Sequence, residues 1–250
     1  MKTHGAAPNA VDCRRCYSHD ATRSMMGSKP TRIPLFPLAG AILFPRAQLP
    51  LHIFEPRYRE MVRDALAGPA RIGMIQPKPG LSEGSPDHGR GIERGDGDPP
   101  PLFRTGCIGE IVGVEELDDG RFNIVLHGST RFRLIAERDL GTAYRQADVD
   151  LAAYDDSEPE PLGLAQRAEV EREARRFGDA LGLAVDWNAV GRLDDEMLVN
   201  AIAQVAPFDP GAKQALLEEA SLAGRADLVV QLMQFQRLAP GGADMGQTLQ

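Results

Sequence analysis

The chain has very little cysteine and no long apolar run. Only Cys13, Cys16 and Cys107 occur among its 250 residues. An odd and sparse cysteine count argues against a disulfide framework and predicts a protein of the reducing cytoplasm. No segment approaches the roughly 18 consecutive apolar residues that a membrane span requires, so we expect no membrane association. The first twenty residues lack the apolar centre of a secretory signal, although their basic, acid-poor composition also fits an organellar transit peptide.

Motifs of common catalytic machineries are also missing. No G-x-x-x-x-G-K-[ST] phosphate loop and no H-E-x-x-H helix occur, and the five histidines are scattered along the chain. Lysine for a Ser–Lys dyad is scarce, because Lys29 and Lys78 fall in a predicted tail and loop and Lys213 falls on a short helix where we expect it to be solvated. These absences predict a protein that is not an enzyme and carries no cofactor.

Basic residues are too few for a nucleic-acid-binding surface. The formal net charge is −8, and the last hundred residues carry eight Lys and Arg against seventeen Asp and Glu. Phosphate binding depends on clustered Lys and Arg. We therefore expect no nucleic acid and no anionic membrane surface among the partners.

One segment has the residue types of a metal site. Cys13, Cys16 and His19 follow one another at three-residue spacing, which suits zinc. Structural zinc needs four protein ligands and this segment supplies three, so Asp20 or a second chain would have to complete the set. We expect no metal site here.

Composition divides the chain into units. Residues 1–30 show no hydrophobic period and are predicted to be a disordered tail, as are residues 241–250. Residues 31–155 are rich in strand patterns and residues 160–240 in helical ones. Within the first unit, residues 77–101 are dense in proline, glycine and charge, which predicts a disordered loop.

The strand-rich unit begins with two short apolar segments broken by proline, "IPLFPL" and "QLPLHIF". Proline supplies no N–H to a ladder, so both are predicted to be edge or bulged strands. Asp119-Gly120 between two alternating segments predicts a hairpin. Several short strands with one helix indicate a small barrel or sandwich. The side chains expected to close it are Phe36, Leu38, Leu43, Phe44, Leu49, Leu51, Ile53 and Phe54.

Helix signals are local and clear. Pro56 fits a first helical position, and four apolar residues follow at helical spacing: Tyr58, Met61, Val62 and Ala65. After Pro161 four segments have helical periods, with Asp194 and Asp209 placed as N-caps. This pattern predicts a bundle of four helices.

Arg131 has two interpretations. Its guanidinium could bind a ligand carboxylate. It could instead pair with Glu55 or another acid of the fold, because a half-buried arginine beside apolar strand residues needs a partner. We favour the structural pair.

Several segments, taken in order, resemble the N-terminal, substrate-binding domain of the Lon protease family. They are "PLFPLAGAILFPRAQLPLHIFEPRYREMV", "GCIGEI", "GSTRFRL" and the pair Tyr144-Arg145. The helical "DDEMLVNAIAQVAPFDPGAKQALLEEASLAGRADLVVQLM" is similar to the continuation in standalone bacterial proteins of this family. The resemblance covers about residues 31–238.

This resemblance implies an α+β fold, a PUA-like β pseudo-barrel followed by a C-terminal four-helix bundle. It also implies binding of unfolded or flexible polypeptides or of a partner protein, linked to protein quality control. Full Lon proteases continue into an ATPase and a Ser–Lys peptidase, for which a chain ending at Gln250 has no room, so we expect a non-catalytic module.

We expect peptide contacts near Arg57, Tyr58 and Arg131 or in the cleft between the two units, and an extended peptide could pair with a proline-interrupted edge strand. The alternative is a small-ligand or RNA-binding PUA-like module, because fold alone does not determine function.

Overall fold

The first half of the chain forms strands and the second half forms helices, as the change in periodicity predicts. The structure, a computed structural model, describes residues 30–79, 99–154, 156 and 161–238. The strands are β1 Thr31–Pro37, β2 Gln48–Ile53, β3 Arg71–Pro77, β4 Leu102–Glu116, β5 Phe122–Arg138 and β6 Gln146–Asp150. The helices are α1 Pro56–Leu66, α2 Leu164–Ala180, α3 Trp187–Val190, α4 Asp195–Val205, α5 Pro210–Glu218 and α6 Leu222–Leu238.

The sheet closes into a ring because β5 is long enough to pair with three strands. β5 has 17 residues; its first part pairs with β2, most of its length pairs with β4, and its last part pairs with β6. β6 also pairs with β1, β1 runs parallel to β3, and β3 pairs with β4. β2 is added outside this ring as an edge strand. The predicted α+β class, with a small β barrel before the helices, is confirmed.

β1 is an internal strand, which corrects the prediction that both proline-punctuated segments are edge or bulged strands. Residues 31–34 pair with β6 on one side, and residues 35–37 pair with β3 on the other side. Pro34 and Pro37 each stand where one of these pairings ends. The missing N–H groups therefore leave no gap inside either ladder. The second segment, β2, is an edge strand as predicted.

Of the eight side chains predicted to close the barrel, four are buried, three are partly buried and one, Phe54, is exposed. Phe36, Leu43, Phe44 and Ile53 are at most 5% exposed. Phe54 is 59% exposed, because side chains alternate along β2: Ile53 faces the core, while Phe54 follows on the outer face beside the His52 ring. The prediction that Phe54 belongs to the core is wrong.

Local signals in the strand-rich unit are confirmed. Helix α1 begins at Pro56, and its buried residues are the four at helical spacing, Tyr58, Met61, Val62 and Ala65. The hairpin between β4 and β5 turns at Gly120, whose φ of 75° lies in the left-handed region that glycine adopts without strain.

The helical unit contains the four predicted helices and one short helix that was missed, α3. The carboxylates of Asp194 and Asp209 accept hydrogen bonds from backbone N–H groups at the starts of α4 and α5, as predicted. The largest cluster of buried apolar side chains runs from the strands into the helices, so the two units share a core. The domain boundaries stay a prediction. Among the residues that the structure describes, no helix is long and apolar enough to cross a membrane.

Candidate functional site

Arg57 and Tyr58, two of the predicted site residues, line a surface pocket of about 150 Å³. The other lining residues come from the ends of β1 and β3 and from the segments before β4 and β6: Pro37, Pro77, Pro99, Pro100, Ala143, Tyr144 and Arg145. The ring closure thus brings the start of α1 next to the Tyr144-Arg145 pair. We call this pocket the Arg57–Arg145 pocket.

Aromatic rings form one wall of the Arg57–Arg145 pocket. The ring of Tyr58 packs against Phe36 with centroids 4.4 Å apart, and the guanidinium carbon of Arg57 lies 4.5 Å from the Tyr58 centroid. Burial is the largest influence on the Tyr58 hydroxyl and raises its pKa, while the positive charge of Arg57 opposes this. The Tyr58 hydroxyl therefore stays protonated at neutral pH.

The two arginines of the pocket are held by carboxylates. Arg145 donates through Nε and Nη2 to both carboxylate oxygens of Glu137, at 2.7 and 2.6 Å, and through Nη1 to the carbonyl of Pro100 at 2.9 Å. Arg57 donates through Nε to Glu55 at 2.9 Å. The guanidinium groups are thereby oriented before any ligand arrives, which lowers the entropy cost of using them in binding.

The lining of the pocket suits binding rather than bond cleavage. Its described residues are prolines, tyrosines, arginines and one alanine, with no serine, cysteine, histidine or carboxylate among them. Proline has no N–H and presents an apolar ring, while arginine offers only donors. The pocket therefore combines apolar surface with fixed donors for carbonyl or carboxylate oxygens.

The predicted loop over residues 77–101 begins and ends at the pocket. The N–H of Lys78 donates to the carbonyl of Pro101 at 2.7 Å, which holds the two ends together. Residues 80–98 lie outside the described residues, so the disorder of this loop stays a prediction.

Tyr144 joins the pocket to α1. Its hydroxyl donates to Oδ2 of Asp64 at 2.7 Å. Burial, followed by the hydrogen bond and the negative charge of Asp64, raises the pKa of Tyr144 to about 12. Ionisation of the hydroxyl would remove this donor and place two negative charges side by side.

We expect Tyr144→Phe to lower the free energy of unfolding by about 1.5–3 kcal/mol near neutral pH, the range for a hydrogen bond to a charged group. Because the pKa of Tyr144 is about 12 in the folded protein and near 10 when unperturbed, this contribution is present below pH 10 and is lost as the pH rises toward 12.

Urea unfolding of wild type and Tyr144→Phe should therefore give two free energies that converge above pH 10. A difference between the two proteins that stays constant through this range would contradict the assignment of the hydrogen bond.

Comparison with known proteins connects this geometry to a family. The family model described as the ATP-dependent protease La (LON) substrate-binding domain matches residues 32–234. The chain belongs to this Lon substrate-binding domain family.

Lon proteases are among the curated relatives of this Lon-type domain. Lon protease 2 of Myxococcus xanthus is 25% identical over 211 residues, covering 83% of this chain and 24% of that protein. The Lon protease of Parabacteroides distasonis is 33% identical over 104 residues, covering 41% of this chain and 11% of that protein. The chain thus spans only about a quarter, or less, of the length of these relatives.

Solved structures confirm the fold of the Lon-type domain. A Lon N-terminal domain protein from Xanthomonas campestris superposes with a TM-score of 0.58 at 19% identity, covering 80% of this chain and 98% of that chain. The N-terminal domain of a Mycobacterium avium complex Lon protease also gives a TM-score of 0.58, at 17% identity.

Arg131 lies inside the Lon-type domain rather than on its surface. Its side chain is 1% exposed and pairs with Asp156, whose side chain is 5% exposed. The structural interpretation holds, but the acid is Asp156, whereas Glu55 pairs with Arg57. Burial leaves Arg131 no surface for direct contact with a peptide, so its predicted place in the binding site is corrected.

Tyr144 and Arg145 were not among the predicted site residues. Their signal in the sequence was the Tyr-Arg pair of the Lon-like motif. The pair became a site only through ring closure, because the start of β6 places it next to the end of β3 and the start of α1.

Two possible sites in the sequence lie outside the residues that the structure describes. One is the candidate metal segment with Cys13, Cys16 and His19. The other is Gly80–Gly84, which has the G-x-S-x-G spacing of a serine nucleophile turn. Within the described ranges no group of three or more metal-ligating side chains is placed to hold an ion. Lys213 is half-buried rather than solvated; its Nζ donates to the carbonyl of Gln204, and burial lowers its pKa.

The outer edge of β2 is poorly suited to adding a peptide strand. Backbone groups of alternate residues point to the same side, and those of Gln48, Pro50 and His52 point away from β5. The Gln48 carbonyl already accepts a hydrogen bond from Nε2 of Gln204 at 2.7 Å. Pro50 removes the donor in the middle of the edge, which is a common protection against strand addition.

Proposed function

We propose that this Lon-type domain is a non-catalytic module that binds unfolded or extended polypeptide segments, as a component of protein quality control. The observation that carries the proposal is the Arg57–Arg145 pocket. It joins Tyr58, Tyr144 and four proline rings to two oriented guanidinium groups. The family description, a substrate-binding domain, supports the same function.

The chemistry of the pocket favours a polypeptide as the ligand. Tyrosine and arginine are enriched among the residues that dominate protein–protein binding energy. The apolar rings can cover a side chain, while the Arg57 guanidinium, which is half exposed, can donate to a backbone carbonyl beside it.

The size of the pocket favours an unfolded polypeptide. A pocket of about 150 Å³ admits one side chain at a time. Large apolar side chains are mostly buried in a folded protein and become accessible when it unfolds. Selectivity for unfolded chains follows from this difference in accessibility.

The proposal also covers the cellular compartment of the protein and the classes of partner that it does not bind. A reducing cytoplasm is supported by the sparse cysteine content. The excess of acidic residues supports a protein that binds neither nucleic acid nor an anionic membrane.

Blocking the mouth of the Arg57–Arg145 pocket tests the proposal. Ala143 is exposed and lines the pocket, so Ala143→Trp should weaken binding of reduced and alkylated lysozyme, a permanently unfolded chain, by about tenfold. Fluorescence anisotropy of the labelled chain measures the affinity. The matched control is Ala67→Trp, an exposed alanine after the far end of α1, which should bind as wild type does.

Native lysozyme and a labelled RNA at physiological salt complete the experiment, and neither should bind. Equal binding of unfolded lysozyme by Ala143→Trp and wild type would remove the pocket from the proposal. A wild-type protein that binds the RNA but no unfolded chain would replace the proposed function with the RNA-binding alternative.

A further inference from the structure

The helical unit contains a cavity of about 270 Å³ that has no role in the Arg57–Arg145 pocket. Its walls come from α2, α3, α4 and α6 and from the segments joining α2 to α4. Every lining residue is apolar or glycine, and large ones include Phe177, Trp187, Leu198, Val205 and Met233. We call it the Trp187 cavity.

Small residues on the packed helices leave this space open. Ala174 and Gly178 on α2 and Ala201 on α4 line the cavity where larger side chains would fill it. The Trp187 ring lies directly on α2, since a Cβ added at Gly178 would be 3.4 Å from it. Asp186 fixes the short helix α3 that carries this ring by accepting hydrogen bonds from two backbone N–H groups.

The dimensions of the cavity match one bulky side chain. An apolar cavity of about 150 Å³ is known to bind benzene, whereas pockets for drug-sized ligands measure about 300–1,000 Å³ and place polar groups to orient them. The Trp187 cavity lies between these sizes and its lining has no polar side chain. It therefore selects for apolar groups with about the volume of a phenylalanine or leucine side chain.

The rim of the cavity indicates that the apolar group is attached to a polypeptide. Leu183 and Val205 line the cavity yet are 52% and 76% exposed, so apolar surface continues outside the mouth. A free hydrophobic molecule inside the cavity would leave this surface in water. The residues flanking an inserted side chain would cover it, which adds favourable apolar burial.

We propose that the Trp187 cavity is a second subsite for unfolded polypeptides and takes one bulky apolar side chain, aromatic or aliphatic. This inference rests on the proposed function and extends it, because it assigns side-chain selectivity to the helical unit. The Arg57–Arg145 pocket then provides donors to the backbone of the same class of ligand, at a separate place on the domain.

The protein provides its own reporter for this subsite, because Trp187 is the only tryptophan in the sequence. The probes are two 12-residue peptides of Gly, Ser, Glu and Lys that differ only at a central residue, Phe or Ala. The Phe peptide should change the Trp187 emission saturably and bind at least about tenfold more tightly than the Ala peptide, as expected for burial of one such side chain.

A variant that fills the cavity supplies the second measurement. Ala201→Leu should reduce affinity for the Phe peptide at least about tenfold while the melting temperature is unchanged or higher, because added methyl groups occupy existing space. The matched control is Ala223→Leu, at an exposed position of α6 outside the cavity, which should bind the Phe peptide as wild type does.

The experiments distinguish failure of the subsite from failure of the proposed function. Equal binding of the Phe and Ala peptides by wild type, or undiminished Phe-peptide binding by a folded Ala201→Leu variant, overturns the subsite even if unfolded lysozyme still binds. If Ala201→Leu does not fold, the comparison of the two peptides by Trp187 emission decides alone. Absence of binding to unfolded lysozyme overturns the proposed function and the subsite together.

Discussion

Replacing Arg131 with methionine is expected to lower the free energy of unfolding by about 3–5 kcal/mol, the cost of removing one partner from a buried ion pair. The side chains of Arg131 and Asp156 are almost fully buried, and Nη2 of Arg131 lies 2.7 Å from Oδ1 of Asp156. Methionine keeps the apolar stem but removes the ion-pair partner of the buried Asp156 carboxylate.

The ion pair also joins the two units of the domain. Nη1 of Arg131 donates to the carbonyls of Leu217 and Glu219, and Nη2 donates to that of Ala220. These carbonyls lie at the end of α5, where backbone carbonyls have no N–H donor within the helix and a positive charge is favourable. Nε donates to Asp156, so every guanidinium N–H is used. Loss of Arg131 removes the side-chain donor to the carbonyls of Leu217 and Ala220 and leaves Asp156 only with the backbone N–H of residue 131 and the hydroxyl of Thr130.

Urea unfolding of Arg131→Met checks the prediction. The matched control is Arg71→Met, which breaks the surface pair with Glu110 and should cost no more than about 1 kcal/mol. Adding Asp156→Asn to Arg131→Met should recover part of the lost stability, because it removes the uncompensated charge. If Arg131→Met lowers the free energy of unfolding no more than Arg71→Met does, the buried network contributes little to stability.

Phe132→Ala is expected to lower the free energy of unfolding by a similar amount, about 3–5 kcal/mol. Phe132 is fully buried inside the ring of strands. Its ring occupies space that two glycines of neighbouring strands leave free: a Cβ added at Gly106 would be 2.4 Å from the ring, and one at Gly73 would be 3.2 Å from it. Alanine at position 132 would leave a cavity that the backbones of β3 and β4 cannot easily fill.

Thermal and urea unfolding measure this loss. Ile135→Ala on the same strand, at a position 54% exposed, is the control and should cost less than about 1 kcal/mol. An unchanged melting temperature for Phe132→Ala, together with lost binding of unfolded lysozyme, would instead show that the ring belongs to a binding surface.

Signals within a few residues of one another predicted the local structure. Pro56 and the apolar spacing behind it determine α1, because the first helical turn needs no N–H from proline and one face must be apolar. Asp119-Gly120 determines the hairpin through the positive φ at Gly120. The missed helix α3 is only four residues long, too short for a hydrophobic period.

Predictions that depended on distant partners were the ones that needed correction. β1 was expected at an edge, but it changes partner between Pro34 and Leu35, and only the closed ring supplies both partners. Phe54 looked like a core residue because it continues the apolar run of β2, yet it lies on the outer face of that strand beside His52.

The sequence by itself determined the fold class, the order of the elements, the helix starts and the family, because each of these has a local pattern or an ordered set of motifs. Tertiary structure alone decided that Asp156 pairs with Arg131, that Tyr144 and Arg145 meet Arg57 and Tyr58, and that small residues on α2 and α4 surround the Trp187 cavity. These outcomes depend on which surfaces pack together and how much space remains between them. Contacts between residues that are distant along the chain produce no periodic pattern in the sequence.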